Sequence, residues 1–98
     1  MIELTSKQRR ILEKAAHNLN PVVIVGGAGV TEGLYSMVDN CLASHELIKV
    51  KFNEYKEEKQ ELTQDICDQT QCTLVRLIGN IAILYRPAEK VENQKYKF

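Results

Sequence analysis

The stretch that decides the fold is Val22-Val23-Ile24-Val25-Gly26-Gly27-Ala28-Gly29-Val30-Thr31-Glu32. It begins with a run of apolar, β-branched residues, which is typical of a short strand buried on both faces of a sheet. Glycines dominate the next four positions, and Thr31 can cap a helix that starts at Glu32. The stretch therefore predicts a strand that runs through a glycine loop, Gly26 to Gly29, directly into a helix.

Helices and strands alternate on both sides of this stretch. A capping-box signature at Thr5 and Gln8 precedes a helix predicted over residues 6–18, and apolar residues at helical spacing predict helices over 32–44 and 57–70. Strands are predicted over 22–25, 47–53, 73–78 and 81–86, the last two joined as a hairpin at Gly79-Asn80. The order helix-strand-helix-strand-helix-strand-strand predicts a compact two-layer α/β domain with a mixed four-stranded sheet.

The composition is that of one globular domain, since the 98 residues are 44% hydrophobic and 27% charged. We expect a single domain over residues 1–87, ended by Pro87, and a polar C-terminal tail over residues 88–98. The longest weakly polar stretch is too short to span a bilayer, and the N-terminus lacks the basic and apolar regions of a secretory signal. These features predict a cytoplasmic protein with no membrane partner.

Neither the thiols nor the imidazoles predict a catalytic or metal site. The chain contains these cysteines and histidines: Cys41, Cys67, Cys72, His17 and His45. The cysteines are odd in number and form no C-x-x-C pair, so we expect reduced thiols in or near the core. A dinucleotide site is disfavoured because Glu32 stands at the last glycine position of G-x-G-x-x-G counted from Gly27. We expect no enzyme activity, no cofactor, no metal and no small-molecule substrate.

Charge is distributed unevenly although the formal net charge is zero. Residues 54–68 carry a net charge of −4, so the rest of the chain carries +4. The acids of this segment collect on the outer face of the third predicted helix: Glu57, Glu61, Asp65 and Asp68. Because salt screens surface charges beyond about 8 Å, local patches decide which partners are attracted, and neutrality does not exclude nucleic acid.

Basic residues are predicted to gather away from the acidic helix. They comprise a stripe on the first helix, two lysines on one side of the second strand, and two arginines that flank the hairpin and are expected to emerge near those lysines. The residues are Lys7, Arg10, Lys14, His17, Lys49, Lys51, Arg76 and Arg86. A glycine loop lets a phosphate backbone approach main-chain N–H groups, and a GxxG loop that opens a helix is the element with which KH modules hold RNA. Glycines at such a turn also occur for steric reasons, and charged faces also serve solvation. The agreement of loop and charges favours an RNA-binding surface.

Several stretches together resemble one family, the CRM-domain (YhbY-like) RNA-binding proteins in their stand-alone bacterial form. They are Thr5–Arg9, Ala16–Val23, Gly26–Gly33, His45–Lys51, and Ile78-Gly79 through Leu84–Pro87. The resemblance implies a fold similar to the C-terminal domain of bacterial translation initiation factor three, with the last strand inside the sheet. It also implies binding of ribosomal RNA and a role in assembly of the large ribosomal subunit.

The resemblance places the RNA-facing loop at Gly26, Gly27, Ala28 and Gly29. Many members carry a Lys or Arg inside this loop, whereas this chain does not, so its phosphate contacts are expected to come from N–H groups with charge supplied by neighbours. The alternative is a protein–protein adaptor in ribosome biogenesis that uses the acidic helix. The aromatic residues are scattered, so we expect backbone and shape recognition with little base readout. We also expect Gly29→Asp to weaken binding while thermal unfolding stays near normal.

Overall fold

The predicted elements are present in the computed structural model, which describes residues 2–98. They are α1 (Ser6–Ala16), β1 (Val23–Val25), α2 (Glu32–His45), β2 (Leu47–Phe52), α3 (Lys59–Thr70), β3 (Thr73–Ile78) and β4 (Ile81–Tyr85), followed by a 3₁₀ turn at Val91–Asn93. The order of helices and strands is confirmed, and each boundary lies within two residues of the predicted one.

The helix starts form as their sequence signals indicate. Thr5 and Gln8 make a reciprocal capping box, in which each side chain accepts a hydrogen bond from the other residue's N–H. At α2 the Thr31 hydroxyl accepts a hydrogen bond from the N–H of Leu34 at 3.2 Å. Local chemistry therefore fixes where α1 and α2 begin, before any tertiary contact is considered.

The sheet is mixed and has the strand order β1-β2-β4-β3. β1 and β2 are parallel and are joined through α2, whereas β4 is antiparallel to both of its neighbours. The last strand therefore lies inside the sheet, as the resemblance implied. This order brings the glycine loop, the start of β4 and the end of β2 to one end of the sheet, because Val25 pairs with Phe52 and Lys51 with Ile81.

The two faces of the sheet are covered to different extents. Alternate residues of β2, including Ile48 and Phe52, are buried beneath α2 and α3 in the main core. On the opposite face, α1 buries Leu12 against Leu47 and Tyr85. α1 covers only the end of the sheet where β2 begins. At the glycine-loop end the molecule therefore has the predicted two layers, the sheet and the helices α2 and α3. At the other end α1 adds a third layer.

β1 is open on one face, so the expectation that its strand is buried on both faces is wrong. Val23 and Val25 are buried, but Val22 and Ile24 are 45% and 53% exposed. The apolar run cannot reveal this, because α1 ends before it reaches the edge of the sheet. An aliphatic surface is left uncovered there.

Two cations attach α1 to the sheet. The guanidinium of Arg9 donates hydrogen bonds to the carbonyl oxygens of Leu74 and Val75 at 2.6 and 2.7 Å, where the pairing of β3 with β4 is irregular. The ammonium of Lys49 donates to the carbonyl oxygen of Leu19, just beyond the end of α1, at 3.0 Å. These contacts fix the direction in which α1 crosses the sheet.

Residues 88–98 pack back onto the domain. The buried carboxylate of Glu46 accepts hydrogen bonds from the N–H groups of Ala88 and Lys95. The rings of Tyr96 and Phe98 contact Tyr85 edge-on, with centroids 6.1 and 6.2 Å away. The segment that is polar by composition thus contributes an aromatic contact and donates two hydrogen bonds to a buried carboxylate.

Candidate nucleic-acid interface

The glycine loop is an exposed turn with unused donors. The N–H of Gly29 donates to the carbonyl oxygen of Gly26 at 2.9 Å and closes the turn. Gly27 and Ala28 are exposed at its tip. Within residues 2–98, the N–H groups of these two residues have no hydrogen-bond acceptor. Neighbouring free N–H groups before a helix start are a suitable environment for an anion such as phosphate.

Tyr55 supports the loop from the segment between β2 and α3. Its hydroxyl donates to the carbonyl oxygen of Gly27 at 3.0 Å. A Cβ at Gly29, whose φ is +74°, would lie 3.3 Å from the Tyr55 ring. The structure argues against the expectation that Gly29→Asp leaves unfolding near normal, because a side chain there is strained by the backbone and crowds the Tyr55 ring. At Gly26 and Gly27 a Cβ would meet no atom within 4 Å.

The basic stripe on α1 is exposed and carries free charge. Lys7, Arg10 and Lys14 are exposed, and none of them makes an ion pair or side-chain hydrogen bond within the described chain, residues 2–98. His17 is also exposed and caps the C-terminal end of α1. The predicted alignment of these residues on one side of the helix follows from their spacing.

The stripe continues onto the uncovered part of the sheet. Lys14, His17 and Lys49 line a cleft between α1 and the sheet. Lys51 lies one alternation further along β2 on the same face, is exposed, and is adjacent to Ile24 of β1. The lysines of β2 therefore lie between the end of α1 and the strand that leads into the glycine loop.

The two predicted arginines are already paired, and they lie on opposite faces. Arg76 is on the same face as α1 and pairs with Glu13 at 2.8 Å. Arg86 points to the other face, where it pairs with Asp39 at 2.6 Å and donates to the carbonyl oxygen of Thr70 at 2.7 Å. The expectation that Arg86 emerges near Lys49 and Lys51 is wrong, because it follows Tyr85, whose side chain occupies the α1 face.

Aliphatic side chains form the part of this surface that the sequence did not predict. A row across the sheet pairs Ile24 with Lys51, Lys51 with Ile81, and Ile81 with Ile78. We call these four residues the open sheet face. Ile24 and Ile78 are 53% and 49% exposed. Two sequence features indicate this exposed aliphatic surface: the alternation of apolar and basic residues along β2, and the short length of α1. They do so only in combination with the position of β1 at the edge of the sheet, which the sequence does not show.

The acidic residues lie on the opposite side of the molecule. α3 packs against the face of the sheet that α1 leaves free. Its acids Glu61, Asp65 and Asp68 are exposed, as is Glu57 just before it. The predicted separation of the acidic helix from the basic stripe of α1 is therefore present in the fold, with the sheet between them.

The cysteines are free thiols, as predicted, and two of them are buried side by side. The Sγ atoms of Cys67 and Cys72 are 3.6 Å apart. The hydrogen bond to Cys72 raises the pKa of the Cys67 thiol, and burial raises it further. Among residues 2–98, no group of three or more His, Cys, Asp or Glu side chains is placed to hold a metal ion.

None of the helices within residues 2–98 has the length and apolar character needed to cross a bilayer.

Comparison with known proteins identifies the family. A sequence model of the CRS1 / YhbY (CRM) domain matches residues 4–86. The chain belongs to this CRM family. An RNA-binding protein of Haemophilus influenzae is 44% identical over 95 residues, with 96% of each chain covered. The probable RNA-binding protein YqeI of Bacillus subtilis is 34% identical over 93 residues, covering 94% of this chain and 95% of its own.

The CRM fold is also seen in a solved relative. The solution structure of a hypothetical Staphylococcus aureus protein, which is described as a candidate RNA-binding protein, superposes on this chain with a TM-score of 0.77 at 32% sequence identity. The match covers 97% of this chain and 100% of the other. The fold and the family membership predicted from the sequence are therefore confirmed.

Proposed function

We propose that this CRM protein binds the backbone of structured RNA, that its target is ribosomal RNA of the large subunit during assembly, and that it acts there in the cytoplasm without catalysis. The observation that carries the proposal is the exposed glycine loop with free N–H groups at Gly27 and Ala28. Phosphate groups bind such donors, and nearby cations add the attraction that dominates affinity for nucleic acid.

The cations divide into two groups with different expected roles. Lys7, Arg10, Lys14 and Lys51 are exposed without partners in residues 2–98, so they are available for phosphates. Lys49 and the two arginines, by contrast, already serve carbonyl or carboxylate oxygens of the protein. RNA affinity should therefore depend mainly on the first group, together with the loop.

The test is titration of a fluorescent large-subunit ribosomal RNA fragment at several salt concentrations. Binding through several phosphates should weaken by orders of magnitude between about 50 and 200 mM salt. Lys7→Glu combined with Lys14→Glu should lower the affinity at least about tenfold and reduce the salt slope by about 2. The control is Glu57→Ala combined with Asp65→Ala, which changes the opposite side and should leave affinity unchanged or slightly higher.

The alternative function is that of an adaptor that binds a protein in ribosome biogenesis through the acidic helix. The exposure of Glu61, Asp65 and Asp68 on α3 favours it. In that case the control variant would lose ribosome association and the lysine variant would keep it. Equal losses from both double variants would contradict the assignment of RNA to the α1 side. Independently of these variants, crosslinking followed by sequencing of the bound RNA would identify the RNA target.

A further inference from the structure

The uncovered part of the sheet exposes aliphatic side chains, and the binding of phosphate groups does not explain their exposure. The open sheet face exposes Ile24 and Ile78 by about half, with Ile81 between Lys51 and Ile78. Exposing apolar surface to water is unfavourable by about 25 cal/mol per Å². Ile78 and Ile81 are direct neighbours on this face, and adjacent exposed apolar groups on a soluble domain can mark a place where a ligand or partner packs.

A cleft that includes part of this face has the size of a small-molecule pocket. It has a volume of about 610 Å³, within the usual range of ligand pockets of about 300–1,000 Å³. Its floor is formed by Ile78, Ile81 and Ile83, and its wall by side chains of α1. The cleft therefore combines an apolar floor with a polar, open rim.

The charge of the rim indicates which kind of partner fits. Lys14 and Lys49 line the cleft, and Lys51 lies beside it on the open sheet face. The acid in the lining, Glu13, is held by Arg76 at 2.8 Å. The net charge at the rim is positive, so it complements a ligand that joins a flat apolar group to an anion. A nucleotide has this composition, with its base and its phosphate.

We propose that an unpaired nucleotide of the bound RNA places its base on Ile78 and Ile81 and its phosphate beside Lys14 or Lys51. The inference rests on the proposed function and extends it from the backbone to a base. In a duplex the faces of the bases are stacked inside the helix and cannot reach this surface. The protein should therefore prefer RNA that carries unpaired nucleotides, contrary to the expectation that base contacts are minor.

The experiment compares two RNA hairpins that are identical except for a five-nucleotide bulge in one of them. Fluorescence anisotropy at fixed salt gives the affinity of each. Burial of one base against the isoleucines should make the unmodified protein bind the bulged hairpin roughly fivefold to tenfold more tightly than the paired one. Replacing the bulged nucleotides by abasic ones, which retain the phosphates, should remove this preference.

Variants assign the preference to the cleft. Ile78→Gln and Ile81→Gln should each reduce the preference while leaving binding to the paired hairpin and its salt slope unchanged. Ile78 is 49% exposed, so its substitution keeps the fold intact even if Ile81→Gln is destabilising. Met37→Gln is the matched control, because Met37 is 51% exposed on α2, at the other face of the sheet.

The outcomes separate this inference from the proposed function. Equal affinity of the unmodified protein for both hairpins would overturn the base contact and leave backbone binding intact. A preference that survives in both isoleucine variants would overturn the assignment to the cleft. If neither hairpin bound at about 50 mM salt, where phosphate contacts are strong, the proposed function itself would fail and the inference with it.

Discussion

Two glycines of the same loop should respond in opposite ways to the same substitution. At Gly29 φ is +74°, and a Cβ would lie 3.3 Å from a ring carbon of Tyr55. At Gly27 no atom lies within 4 Å of the added group. We expect Gly29→Ala to destabilise the protein. Gly27→Ala should be neutral or stabilise by up to about 1 kcal/mol, because alanine restricts the unfolded chain.

The magnitude for Gly29→Ala follows from two contributions. The left-handed backbone conformation costs an alanine about 1–2 kcal/mol. Displacing the Tyr55 ring weakens the hydrogen bond from its hydroxyl to Gly27, which is 3.0 Å long. That bond contributes about 0.5–1.5 kcal/mol. A total near 2 kcal/mol corresponds to a decrease in Tm of roughly 8–16 °C for a chain of this length.

The assay is thermal unfolding followed by circular dichroism, with urea unfolding to give the free energy. Tyr55→Phe is the control for the hydroxyl and should cost no more than about 1.5 kcal/mol. If Gly29→Ala and Gly27→Ala melted at the same temperature, the account of the loop as a turn closed by a positive φ and supported by Tyr55 would be wrong.

The same loop allows binding to be tested without loss of stability. Gly27→Glu places a carboxylate next to the free N–H groups and should keep the Tm of the unmodified protein. Its RNA affinity should fall at least about tenfold at low salt, since the added charge repels phosphate. Gly27→Gln has nearly the same size without the charge and should bind more tightly than Gly27→Glu. Equal RNA affinity of these two variants would contradict the placement of phosphate at the loop.

Four further measurements test other parts of the structure. Arg86→Met should destabilise the fold by about 1–2 kcal/mol, because a half-exposed ion pair and a hydrogen bond are lost, without changing the salt slope of RNA binding. Glu46→Ala removes the acceptor of two N–H groups and should cost about 2–3 kcal/mol in urea unfolding. Alkylation of the native protein near pH 8 should label Cys41 and spare Cys67, whose pKa is raised, as mass spectrometry would show. Burial, and then the nearby carboxylate of Glu46, raise the pKa of Tyr85 above 10.0, so this tyrosine stabilises the fold below about pH 10 and that contribution is lost at higher pH. A Tyr85→Phe variant should show a smaller decrease in Tm between about pH 9 and 11.

Local sequence signals were sufficient for the order of the elements and for the loop and helix stripe of the proposed binding surface. The capping box at Thr5 and the cap at Thr31 form because their partners are only three residues away. The strand-to-helix glycine loop and the helical spacing of Lys7, Arg10 and Lys14 are likewise properties of neighbouring residues. Such features need no knowledge of how the helices are arranged on the sheet.

Tertiary placement decided which face each strand shows and which charges are free. Arg76 and Arg86 have the same chemistry, but strand alternation sends them to opposite faces, where Glu13 and Asp39 hold them. β1 reads as a buried strand, yet Ile24 is exposed because α1 ends short of it. The carboxylate of Glu46 meets its partners more than 40 residues later in the chain. The sequence by itself determined the elements and the loop through short-range hydrogen bonds and periodicity. Only the fold determined the uncovered aliphatic cleft, because burial depends on contacts between residues that are far apart in sequence.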